Sequence, residues 1–232
     1  MSQAQAAAPD SGISRPDADR LKEALLNMSA FAREAGDEEQ SDKYRELAAK
    51  LEKGDLTVAF CGHFSAGKST LVNTICGKNL LPSSPIPTSA NVVTITGGQP
   101  AARMRFRDRS GNVTQEREIP VDELHNFAVD GEGVASIEVT YPIPLLGSHM
   151  AIVDTPGVDS TDFAHRAATE SALHLADVVL YVTDYNHVLS DVNFNFLRSL
   201  SEWGKPTYII VNQIDKHRES EVPFAAFRKG IL

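Results

Sequence analysis

Apolar residues first recur at helical spacing. Leu21, Leu25, Met28, Phe31 and Ala32 form one stripe, and Tyr44, Leu47, Ala48 and Leu51 form a second. Two helices are therefore expected within residues 16–53. Gly36 and Asp37 punctuate them, and Asp17 after Pro16 offers a cap region. From residue 56 the period changes. Short apolar runs at 56–61, 91–97, 136–141, 149–154, 178–183 and 207–212 read as buried strands. Polar-alternating stretches near 102–108 and 113–118 read as a hairpin around Ser110-Gly111-Asn112. Helices are expected at 68–77, about 121–129, roughly 163–175 and 190–202, and a Pro-rich loop at 82–87. Strands alternating with helices predict an α/β fold, a mainly parallel sheet between helical layers, with ligand at the carboxyl ends of its strands. Residues 1–15 are small and polar and are expected to be disordered.

The strand at 56–61 runs directly into Gly62-His63-Phe64-Ser65-Ala66-Gly67-Lys68-Ser69, the Gly-x-x-x-x-Gly-Lys-Ser pattern of a phosphate-binding loop. Backbone N–H groups of such a loop converge on a phosphate, and the helix starting near Lys68 adds partial positive charge. The nucleotide-binding set is then Gly62, His63, Phe64, Ser65, Ala66, Gly67, Lys68, Ser69 and Thr70. Lys68 supplies a point charge to the β- and γ-phosphates, and the Ser69 hydroxyl is placed for Mg²⁺. Two later motifs agree. Ile152-Val153-Asp154-Thr155-Pro156-Gly157 ends a strand with a carboxylate suited to Mg²⁺ at Asp154 and a γ-phosphate-sensing N–H at Gly157. Asn212-Gln213-Ile214-Asp215 has the Asn-x-x-Asp spacing of a guanine reader. A carboxylate at Asp215 accepts from the N1–H and N2–H₂ edge of guanine, and adenine has no such pair of donors. Three motifs in this order, each at a strand end, imply a GTP-hydrolysing site of the P-loop type.

Thr88, in the loop between the first helix and second strand, is the candidate for a second hydroxyl on Mg²⁺. Opening a strand is an equally good role for it. No Gln follows Gly157 and the phosphate loop has no Arg, so charge must be offset in another way. Ser65 is placed to hold a cation or a water, or simply shapes the loop.

Composition narrows the function. A formal net charge of −9 argues against a nucleic-acid surface and against unaided adhesion to anionic lipid. Two cysteines, Cys61 and Cys76, give no disulfide framework and suit a reduced compartment. The chain has no apolar run of transmembrane length and does not start with a signal pattern. A cytoplasmic location is expected.

GHFSAGKST, LLPSSPIPTSANVV, IVDTPGVDST, the DYNHV after the buried strand at 178–183, and VNQID together resemble the GTPase domain of bacterial dynamin-like proteins, nearest the fused, two-subunit type of Firmicutes. The resemblance spans about residues 20–220. It implies a mechanochemical GTPase that assembles through its GTPase domains and works peripherally at the cytoplasmic face of the cell membrane. Membrane remodelling by fusion or tethering goes with it. It implies catalytic roles for Ser65, Lys68 and Thr88, Mg²⁺ on Ser69, Thr88 and Asp154, and a monovalent cation (K⁺ or Na⁺) near Ser65 in place of an arginine finger. The helices of residues 16–54 match a neck segment, residues 55–232 a GTPase domain. That domain is expected to be incomplete at its C-terminus, with the membrane-contacting part outside this chain. Phe64 stands where dynamins usually have Gln, and Gln213 where the guanine motif usually has Lys. Loss of that charge predicts weaker nucleotide affinity. The alternative is a switch GTPase that binds RNA or the ribosome; the acidic charge and the leading helical pair weigh against it. A third is an inactive scaffold, against which the intact Lys68, Ser69 and Asp154 argue. Asp159, Asp191 and His187 are candidates for contact with a partner domain, and a role as an ordinary loop residue suits each equally well.

Overall fold

The computed structural model describes residues 15–81, 92–107, 113–124, 134–147, 149–158 and 163–231. Thr88, the Pro-rich loop, Asp159 and the 110–112 turn lie outside them, as does most of the N-terminal stretch. The chain divides into two compact units, Met1–Asp55 and Leu56–Leu232.

The first unit is a helical pair, α1 (Arg15–Glu34) and α2 (Glu38–Lys53). Gly36 turns the chain at φ 81°, where only glycine is unstrained. Asp37 caps α2 by accepting the Gln40 N–H, and Gly54 ends it in the left-handed conformation. The two helices meet through small residues. Ser29 Oγ and Ser41 Oγ share a buried hydrogen bond of 2.9 Å, and Ala32 and Ala48, about one and two turns further along their own helices, are buried as well. Leu21, Met28 and Phe31 of the expected stripe remain exposed.

The second unit is built on one eight-stranded sheet. Its strands are β1 (Leu56–Cys61), β2 (Val92–Gly97), β3 (Ala101–Arg107), β4 (Val113–Ile119), β5 (Val134–Tyr141), β6 (Met150–Asp154), β7 (Val178–Asp184) and β8 (Thr207–Asn212), in spatial order β4-β3-β5-β2-β6-β1-β7-β8. Four of the seven pairings are parallel. The antiparallel ones are β2–β6 and the two made by β3. The helices are α3 (Lys68–Cys76), α4 (Phe163–His174), α5 (Asp191–Glu202) and α6 (Phe224–Ile231).

Strand alternation generates the layers. Phe60, Ile152 and Val182 face one core, where Val72 and Cys76 of α3 pack with Ile95, Met104 and Ile137. Ala59, Cys61, Val153 and Tyr181 face the other, where Leu173 of α4 and Leu200 of α5 close over them. Each fully buried Ile, Leu or Phe contributes roughly 1.5–3 kcal/mol, so the two faces pin the strand register together. This is the expected α/β sheet between helical layers, with one addition: β2 enters antiparallel beside β6 and carries β3–β5 as an extension.

Element boundaries agree closely with the sequence reading, with three differences. The helix expected over 121–129 is described only as a single 3-10 turn at Val121–Glu123; residues 125–133 lie outside the described set. β5 starts two residues earlier than expected. The helix α6 was not anticipated, because Phe224, Phe227 and Ile231 make too short a pattern to stand out beside Gly230.

Candidate nucleotide-binding site

The carboxyl ends of β1, β6, β7 and β8 lie side by side, since β1 pairs with β6 and β7, and β7 with β8. Each motif in this unit follows one of these ends. The 62–67 loop leaves β1 with Gly62 at φ 144°, Ser65 at φ 59° and Gly67 at φ 92°. Two glycines are dictated by neighbours as well as by φ. A Cβ on Gly62 would sit 1.9 Å from the Val182 carbonyl oxygen of β7. One on Gly67 would sit 2.4 Å from Asn212 Nδ2.

Lys68 starts α3 with its side chain buried. Its Nζ donates to the carbonyls of Gly62 (2.9 Å) and His63 (3.0 Å), which hold the ammonium inside the curve of the loop. Ser69, one residue on, donates its hydroxyl to Asp154 Oδ2 at 2.7 Å. Asp154 ends β6 and is buried, and its Oδ1 is the one buried side-chain polar atom among the described residues without a hydrogen-bond partner. Burial pushes its carboxyl up to about 6; Lys68 and the Ser69 hydroxyl oppose this only in part. Nearby, burial pushes the Cys61 thiol up to about 12, and neither cysteine is bonded to another. A buried, under-partnered carboxylate bonded to a hydroxyl is a hard-oxygen donor pair that fits a Mg²⁺ ion.

The 154–158 segment is fastened to β1. Thr155 N–H and Oγ1 both donate to the Phe60 carbonyl at 3.1 Å, and Val158 N–H donates to Gly62 O at 3.2 Å. Gly157 is thereby held beside the loop's first residue.

The guanine-type motif reaches the same loop from β8. Asn212 Nδ2 donates to Ala66 O at 2.9 Å, and Gln213 Nε2 donates to Ser65 O at 3.0 Å. Gln213 sits at φ 57°, and its Oε1 accepts from Lys216 Nζ. Gln213 therefore braces the loop without a charge of its own, while a lysine of the same turn contacts it. Asp215 lies in the following 3-10 turn, Ile214–Lys216, and is exposed. Thr70, also exposed, follows Ser69 in the first turn of α3.

A residue the sequence reading did not single out, Asp184, ends β7 buried against this loop. Its backbone N–H donates to His63 Nε2 at 3.2 Å, and the ring's Nδ1 bonds the Phe64 carbonyl at 2.6 Å. Burial works against ionisation of Asp184. The hydrogen bonds from His187 and from Asn186 N–H prevail and hold its carboxyl below the usual value. Asn193 of α5 fixes the connection, donating to Thr183 Oγ1 (2.9 Å) and His187 O (2.6 Å) and accepting from the Tyr181 hydroxyl (2.7 Å). The sequence cue for Asp184 was an acidic residue at a strand's carboxyl end. Asn193 had none. Of the candidates for partner contact, His187 joins Asp184, and Asp191 is an exposed residue in the first turn of α5.

Fold and site define a P-loop-type α/β nucleotide-binding unit. Residues 58–215 match the model of the dynamin family, and the chain belongs to that family. It is 40% identical over 195 residues to dynamin-like protein A of Bacillus subtilis, an alignment covering 84% of this chain and 16% of that protein. Similarity to the isoniazid-induced protein IniA of Mycobacterium tuberculosis is 31% over 150 residues, covering 61% of this chain and 23% of that one. The chain thus spans well under half the length of these two relatives. Among solved structures, an oligomerised bacterial dynamin pair, described as a mechanism for long-range sensing and tethering of membranes, superposes with a TM-score of 0.61 at 18% identity. That superposition covers 92% of this chain and 35% of the other. No helix of the described residues is long and apolar enough to cross a membrane.

Proposed function

We propose that the unit of residues 56–232 binds GTP and hydrolyses it to GDP and phosphate, and that the whole protein couples this reaction, through contacts between GTPase domains, to membrane remodelling by fusion or tethering. One observation carries the reading: three strand ends converge on a single loop. Lys68 and Ser69 open the helix that leaves that loop, Asp154 bonds Ser69, and Asn212 and Gln213 bond the loop's carbonyls.

In this reading the loop's amides and Lys68 hold the β- and γ-phosphates, which are the groups that gain and redistribute charge during phosphoryl transfer. Ser69, Asp154 and, from outside the described residues, Thr88 would hold Mg²⁺. When bound, that ion neutralises charge on the β,γ-oxygens. Gly157, tied to Gly62 through its neighbour, reports whether a γ-phosphate is present. Asp215 selects guanine, and Asn212 keeps the reading loop in register with the phosphate loop. Ser65, exposed at positive φ with its carbonyl fixed by Gln213, is the candidate for binding K⁺ or Na⁺ where no arginine stands. The helical pair of residues 15–53 serves as part of a neck. Its exposed Leu21, Met28 and Phe31 suit a bundle completed by further helices.

The test is GTP turnover per molecule against protein concentration, with and without liposomes, and separately with RNA. A rate that rises with concentration supports catalysis through paired GTPase domains. A flat rate stimulated only by RNA would replace the proposal with an RNA-linked switch. Absence of turnover despite GTP binding would leave a scaffold.

A further inference from the structure

We propose that His63, Asp184 and His187 form a binding site for a divalent transition ion of the Zn²⁺ type, separate from the Ser69–Asp154 pair. They are the one group of three His, Cys, Asp or Glu side chains among the described residues whose donor atoms all lie within 4.8 Å of one another. His63 and Asp184 are buried, and His187 is exposed.

The contacts inside the group set the geometry that an ion would meet. The Phe64 carbonyl can only accept, so the proton of the His63 ring is on Nδ1. The Asp184 N–H can only donate, so Nε2 carries the lone pair. That lone pair also faces Asp184 Oδ2 at 3.4 Å, with no hydrogen between the two atoms. Nε2 and Oδ2 thus lie side by side as acceptors, Nε2 bonded by the Asp184 N–H and Oδ2 by His187 Nδ1. A tetrahedral ion with bonds of about 2.0–2.1 Å has ligand–ligand edges of about 3.4 Å. The Nε2–Oδ2 separation already has that length. His187 Nδ1, 2.8 Å from Oδ2, must move outward by roughly 0.5 Å to match such an edge. Its side chain is 62% exposed and free to do so. Solvent on that side supplies a fourth ligand. On binding, the long Asp184 N–H bond to Nε2 is given up, and His187 trades its bond to Asp184 for the ion by adopting the tautomer protonated on Nε2, which leaves the Nδ1 lone pair to ligate. Two imidazoles and one carboxylate select Zn²⁺ over Mg²⁺, which demands oxygen ligands and near-octahedral geometry.

Such an ion would link residue 63, next to the loop's first glycine, to residues 184–187 after β7. It would stiffen the phosphate loop from outside the phosphate pocket.

The experiment uses the whole chain in excess Mg²⁺ and GDP, so that the phosphate pocket is engaged. Zn²⁺ binding is followed by competition with a chromophoric chelator. Co²⁺ is used as a spectroscopic probe, with circular dichroism to verify folding. The expected result is one Zn²⁺ per chain and an intense, tetrahedral-type Co²⁺ spectrum. His187→Ala, at an exposed position, should weaken Zn²⁺ binding at least tenfold and abolish the spectrum. His149→Ala, outside the cluster, should change neither. Lack of Zn²⁺ binding to the wild-type chain, a weak octahedral Co²⁺ spectrum, or equal binding in His187→Ala would each overturn the proposal.

Discussion

Asp154 makes a prediction about stability that is independent of turnover. A buried carboxyl raised from an ordinary 3.8 to about 6 is costly to keep ionised. The folded state binds a proton more tightly than the unfolded one. Stability from this group is therefore full below about pH 4 and is lost as pH rises through 6. A change of that size corresponds to about 3 kcal/mol lost at pH 7.5 and roughly half of that at pH 5. Asp154→Asn removes the charge. Its amide oxygen can keep the Ser69 bond, and its NH₂ inherits the unpartnered Oδ1 position at a cost of about 1–3 kcal/mol. Without Mg²⁺ and nucleotide, the variant should match or exceed wild type in stability at pH 7.5, by up to about 2 kcal/mol. That advantage should shrink or reverse near pH 4.5. The assay is urea unfolding at both pH values in EDTA, read by Trp203, the single tryptophan and a residue of the second unit. A stability difference that is the same at both pH values, or larger in acid, would refute the argument. The same variant should bind GTP with less dependence on Mg²⁺, because the buried carboxylate proposed to hold the ion is gone.

Four other outcomes are expected. Lys68→Ala should lower GTP affinity at least about a hundredfold in fluorescent-nucleotide titrations, since it removes the buried ammonium held inside the loop and proposed to meet the phosphates. Gly62→Ala should destabilise the second unit by several kcal/mol, on the order of 3 or more, or prevent its folding, because the new Cβ meets the rigid Val182 carbonyl. Asn212→Ala should cost about 1–2 kcal/mol in GDP binding by calorimetry as the Ala66 brace is lost. Gln213→Lys should tighten GDP binding by restoring charge at that position; unchanged or weaker binding would mean that the Gln213–Ser65 bond and the neighbouring Lys216 already do the work of a lysine.

The chain determined its phosphate loop locally. Gly62 through Ser69 are consecutive, and a cradle of successive amides followed by a helix needs no distant residue to be recognised. The buried strands were legible for the same kind of reason. A strand covered on both faces is apolar along its whole length, so β1, β6 and β7 stand out as runs. The guanine-type motif was legible as spacing, but its mechanical role was not. Asn212 touches Ala66 and Gln213 touches Ser65 only because β8 lies beside β7, which lies beside β1. Tertiary structure alone also decided that β2 runs antiparallel to β6, since a strand's direction depends on where its neighbours enter the sheet. The proton affinity of Asp154 belongs to the same class. Residue type sets an ordinary carboxyl, and burial between β1 and α3 raises it. His63 and Asp184, 121 residues apart, meet for no reason that local pattern records: a strand end and a loop start are brought together by the register of β1 against β7. Short-range geometry is written in neighbouring residues, whereas contact across the sheet and the desolvation that follows from it exist only once the strands have packed.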